Sequence, residues 1–77
     1  MNKEKRKRLS EAEGLLSQAR DIIEEVQEEE QDGYDNLPEG FQNGDRGEAM
    51  QEAIDQMEEA LNAIDEAVDA ITQTCEA

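Results

Sequence analysis

Histidine is absent from these 77 residues, and so is tryptophan. Without histidine the chain lacks the commonest general base, the commonest metal ligand and the Glu-x-x-His pattern of di-iron bundles. One cysteine, Cys75, excludes an intramolecular disulfide and a cysteine pair for zinc, and fits a reducing compartment. Proline occurs once, at Pro38, and the aromatics are Tyr34 and Phe41. No glycine-rich phosphate loop or recognisable serine nucleophile is present. No apolar run follows the basic N-terminus, so neither a signal peptide nor a transmembrane helix is expected. These absences predict a non-enzymatic, cytoplasmic protein with no cofactor and no metal.

What is present is charge of one sign. The chain carries 22 acidic and 7 basic residues, a formal net of −15. Five of the cations, Lys3, Lys5, Arg6, Lys7 and Arg8, lie in the first eight residues beside Glu4 alone. Residues 9–77 keep only Arg20 and Arg46 against 21 carboxylates, a net of −19. Such a body repels nucleic acid and anionic membrane and is drawn to basic protein surfaces.

The remaining apolar residues are good helix formers, and their spacing opposes disorder. Met50, Ile54, Met57, Leu61, Ile64, Val68, Ile71 and Cys75 alternate steps of four and three, with Ala53, Ala60 and Ala67 alongside. That is a sustained heptad seam. Leu9, Ala12, Leu16, Ala19, Ile23 and Val26 form a second seam, widened by Leu15 and Ile22. Between the seams Gly33, Pro38, Gly40, Gly44 and Gly47 break the period. The pattern predicts helices over about 3–31 and 46–75 and a loop over about 32–45. A short helical turn is expected near Asn36–Glu39, and a capping box from Asp45 and Glu48.

The expected fold is all-α, an antiparallel, coiled-coil-like two-helix hairpin. Folding about residue 39 places Leu9 near Val68, Leu16 near Leu61 and Ile23 near Ile54. It also brings Lys3–Arg8 beside Asp65, Asp69 and Glu76, at the negative end of the second helix. Tyr34, Leu37 and Phe41 are expected to fold back over Met50 and Ile54. Two helices alone are marginal in water. A homodimer forming a four-helix bundle supplies the missing neighbours; a monomer completed by its target is the rival.

The candidate partner-binding residues are Glu24, Glu25, Glu28, Glu29, Glu30, Asp32 and Asp35. Carboxylates three or four apart on a helix lie ~5–6 Å from each other, comparable with phosphate spacing on a nucleic-acid strand. An acidic rod of this kind fits a basic groove as a nucleic-acid mimic. The alternative is a solvated helix face that keeps a small bundle soluble. The loop carboxylates fail the spacing of a calcium loop. The basic N-terminus either pairs within the chain or touches nucleic acid, and the acidic body disfavours the latter.

The segment YDNLPEGFQNGDRGEAMQEAIDQMEEA, from Tyr34 to Ala60, resembles small acidic proteins of phages and prophages of Gram-positive hosts. These share a YDN-(L/M)-P-E turn and an R-G-E-A-M helix start, and are mostly without an assigned activity. The resemblance implies a protein acting in the bacterial cytoplasm. By analogy of class it suggests an inhibitor of a host nuclease or other nucleic-acid-binding defence protein, as anti-CRISPR proteins are. A structural adaptor using the helical seam is the second expectation.

Overall fold

The computed structural model describes residues 1–76. It contains α1 (Lys3–Asp35), α2 (Glu39–Gln42) and α3 (Asp45–Glu76), with α1 and α3 packed together as a hairpin. The molecule measures 58 × 15 × 13 Å and has a radius of gyration of 17.4 Å, against about 11–12 Å for a compact chain of this length. It is a rod, and no helix among the described residues is long and apolar enough to cross a membrane.

α1 begins at Asn2, whose Oδ1 accepts the Lys5 backbone N–H at 2.8 Å, satisfying one of the free donors of the first turn. It continues through Gly33 to Asp35, four residues past its expected end. Asn36 closes it, and Leu37 N–H bonds the Tyr34 carbonyl at 3.1 Å. Pro38 then opens α2, whose Phe41 and Gln42 N–H groups both bond the Pro38 carbonyl. The Gln42 side chain reaches back and donates to the carbonyls of Tyr34 and Leu37, at 3.1 and 3.3 Å. One side chain thus adds a second bond to the Tyr34 carbonyl in the last turn of α1 and satisfies that of Leu37 just beyond it. α3 starts at Asp45, with Glu48 N–H bonded to the Gly44 carbonyl at 3.0 Å. Gly44 therefore stands where Asp45 was expected as the cap. Asp45 lies in the first turn, where a carboxylate favours the helix dipole.

The turn is tight because Gly47 lacks a side chain. Gly47 is buried, and a Cβ built there would collide with the Gln42 carbonyl. At the same end Met50 closes over Gly33, its Cε 3.1 Å from where a Gly33 Cβ would stand. Tyr34 and Leu37 are half-buried here, as the expected cap requires, whereas Phe41 is 61% exposed.

The register differs from the expectation. Arg20 lies across from Asp65, Gln27 across from Ile54 and Glu58, and Gly33 against Met50. The longer α1 moves the fold point from residue 39 toward Gln42. Leu16 and Ile23 accordingly sit more than a helical turn from their expected levels beside Leu61 and Ile54. The same shift carries Lys3, Lys5 and Arg6 past the level of Glu76. Lys3–Arg8 are all exposed, and no ion pair among the described residues involves them. The expected match between the basic segment and Asp65, Asp69 and Glu76 is not formed.

Among the described residues only Ile54 and Leu61 are buried apolar side chains. Met50, Met57, Ile64, Val68 and Ile71 of α3 are half-buried, as are Leu9, Leu16 and Ile23 of α1, and Cys75 shares that environment. Leu15 and Ile22 are 61% and 62% exposed. The expected seam residue Val26 is 45% exposed, and Gln27 is half-buried beside it. The contact line of α1 runs through Leu9, Ala12, Leu16, Ala19, Ile23 and Gln27, ending on two consecutive steps of four. A straight helix drifts ~20° per heptad, and here the drift hands the seam to the neighbouring column.

Leu61→Ala or Ile54→Ala is expected to cost about 2–4 kcal/mol, read by urea unfolding of the helical circular-dichroism signal. Gly47→Ala removes helix-interior glycine, which normally stabilises by about 1 kcal/mol. Here it is expected to destabilise, because the Gln42 backbone must move.

Candidate interaction surface

Arg20 and Gln27 stand seven residues apart on α1 and mark one face of the hairpin. Arg20 donates to Asp65 through Nε at 2.7 Å and through Nη2 at 3.3 Å, and through Nη1 to Glu24. Hydrogen bonding to Asp65 and then Glu24 raises the guanidinium pKa further above its ordinary value. The same hydrogen bond holds the Asp65 carboxyl below its usual 3.8. Gln27 donates to the Ile54 carbonyl at 3.2 Å and to Glu58 Oε2 at 2.8 Å. Two polar side chains of α1 therefore stitch this face to α3.

The candidate carboxylates sort by helical angle. Glu24, Glu28 and Asp35 lie on the stitched face. Glu25, Glu29 and Asp32 continue round the outside of α1, and all of these but Glu24 are exposed. Glu30 points the other way, is half-buried, and approaches the turn near Gly33. Six of the seven thus share one arc of about 140°, and the seventh belongs to the helix contact.

The hairpin adds carboxylates that α1 alone does not indicate. Glu28 lines a shallow groove with Gln27, Gln31, Ile54, Asp55 and Glu58. Asp55 and Glu58 thereby extend the acidic arc onto α3. Their own helix gives a hint of this, since Asp55 and Asp69 recur on its outer side. The partnership with Glu28 depends on the register. Among the described residues Arg20 is the only cation in an ion pair, so the groove near Glu28 has no neutralising side chain. The carboxylates are spread out: no group of three or more could hold a metal ion among the described residues.

The opposite face is apolar. Leu15, Ile22 and Val26 lie about half a turn round α1 from Arg20. On α3 the half-buried Met57, Ala60 and Ala67 lie on that side by helical angle. The hairpin is two-sided, with an acidic polar groove on one face and an uncovered apolar strip on the other.

The Arg20–Asp65 pair makes a signed prediction. The Asp65 pKa is lower folded than unfolded, so its contribution is complete above 3.8 and is lost as pH falls through the folded value. Asp65→Asn is expected to flatten that acid limb while leaving the response to salt intact. Salt should raise the melting temperature of both proteins by screening a net charge of −15. Melting curves in acid and neutral buffer at two salt concentrations check both signs.

No protein-family model matches this chain, and no curated protein or solved structure does.

Proposed function

We propose that this protein is a non-catalytic, phage-type interaction protein that occupies a basic groove on a nucleic-acid-handling host protein, such as a defence nuclease, and inhibits it as a nucleic-acid mimic. The observation that carries this reading is the acidic arc of Glu24, Glu25, Glu28, Glu29, Asp32 and Asp35, joined across the hairpin by Asp55 and Glu58. Its density exceeds what solubility asks of a small bundle. Like charges three and four apart weaken the helix that bears them, a cost that a binding surface offsets on meeting a basic partner. The phage character rests on the Tyr34–Ala60 segment and its resemblance to phage proteins. The working form is a homodimer, because a face bearing exposed Leu15 and Ile22 makes each hairpin half of a four-helix bundle.

A second reading, a structural adaptor, draws on the same exposed leucine and isoleucine. Charge reversal separates the two. Tagged protein is used to capture its partner from host lysate at low and high salt, with the captured protein identified by mass spectrometry. The inhibitor reading expects a basic, nucleic-acid-binding protein whose capture falls steeply with salt. Glu25→Lys, Glu28→Lys and Asp55→Lys together should abolish capture and inhibition while the protein stays helical. Survival of capture after that change sinks the groove-filling idea, and its loss on Leu15→Glu alone favours the adaptor.

A further inference from the structure

We propose that a second copy of this chain packs on the Leu15–Ile22 face, with the two α1 helices side by side and antiparallel. Leu15 of each copy meets Ile22 of the other, and Arg8 of each meets Glu29 of the other. This deepens the homodimer reading above and rests on it.

The column of α1 that points away from the stitched face reads Arg8, Leu15, Ile22, Glu29 at steps of seven. A two-fold axis perpendicular to the helix, passing between Gln18 and Ala19, maps this column onto itself. It opposes apolar to apolar in the centre and cation to anion at both ends. An isologous contact requires this kind of self-complementarity. The same axis puts Lys5 level with Asp32 of the other copy. All four charged residues are exposed, and none has an ion-pair partner among the described residues.

Geometry adds two supports. Lys3, Lys5 and Arg6 lie past the level of Glu76, and among the described residues no ion pair joins Lys3–Arg8 to α3, whereas the acidic end of a second α1 would meet them. In the other symmetric stacking, each α1 lies against α3 of the second copy. That stacking again leaves Lys3–Arg8 at the far end of α3 and gives Glu29 and Asp32 no cation. The area is also adequate: a strip ~50 Å long and two helices wide is on the order of 1,000 Å² per copy, above the ~800 Å² per partner of a standard interface. Glu29 and Asp32 of the acidic arc are taken up in this contact, while Glu24, Glu28, Asp35, Asp55 and Glu58 remain uncovered on the outer faces.

Sedimentation equilibrium of the full chain under reducing conditions, which keep Cys75 from cross-linking, tests the arrangement. The native protein should sediment at twice its chain mass of 8.7 kDa. Arg8→Glu and Glu29→Arg singly are each expected to weaken association about tenfold or more, since two symmetric pairs become repulsive. Combined, they should restore it to within about threefold of the native protein. A native protein that stays monomeric overturns both the arrangement and the homodimer reading. A dimer indifferent to the single changes, or not rescued by the pair, overturns the arrangement alone, and the groove reading stands on the capture experiment. A second measurement guards against misfolded variants. In a Cys75→Ser background, Leu15→Cys with Ile22→Cys should give a disulfide-linked dimer on mild oxidation, and a chain that stays uncrosslinked overturns the proposal.

Discussion

The Gln42 carbonyl occupies the space where a side chain at Gly47 would stand, and the rest of the hairpin follows from that contact. It seats α2 on the first turn of α3, while the Gln42 amide closes the end of α1. Both long helices are thereby held from one side of the turn. The register that results places Arg20 on Asp65 and Gln27 on Glu58, and it leaves Lys3, Lys5 and Arg6 beyond Glu76. A heptad seam does not choose among registers one repeat apart, because each matches apolar to apolar equally well. The turn makes the choice, and Gln27 reinforces it by matching a particular backbone carbonyl.

This explains which parts of the fold were legible in the amino-acid sequence. Both helices and their antiparallel order follow from periodicity and from the glycine and proline cluster between them. The end of α1 was not legible, because Gly33 looks like a breaker. A glycine is tolerated in a helix when a neighbour needs room, and Met50 takes that room. Gly47 falls inside the expected second helix, as it does in α3, but nothing in the spacing shows that the Gln42 backbone packs on it. Val26 and Gln27 show a subtler limit. Binary patterning assigns the valine to the contact, but helical drift assigns it to solvent.

The candidate site divides along the same line. Carboxylate density on α1 was visible directly, since Glu24, Glu25, Glu28 and Glu29 are near neighbours in the chain. Glu30 belongs to that run, yet its angle on the helix removes it from the face. Asp55 and Glu58 join Glu28 only because of the register, which periodicity leaves open. Exposure of Leu15 and Ile22 has a similar origin. A wide stripe signals more than one neighbour, and two helices leave part of it uncovered.

Charge and apolar surface are consequently segregated, and the segregation carries a functional argument. A two-helix rod in which, among the described residues, Ile54 and Leu61 are the only buried apolar side chains has little to spend on like-charge repulsion. Pairing the apolar faces of two hairpins adds burial without touching the groove of Gln27, Glu28, Asp55 and Glu58. In the proposed dimer, antiparallel α1 helices would also bring ten cations, five from each copy, toward the acidic ends of their neighbours, easing the repulsion where it is densest. The grooves would then face outward on opposite sides of a bundle. On the proposed pairing one dimer would offer two acidic grooves to a target with repeated basic surface, and linkage of two weak sites raises avidity only where the geometry lets both engage.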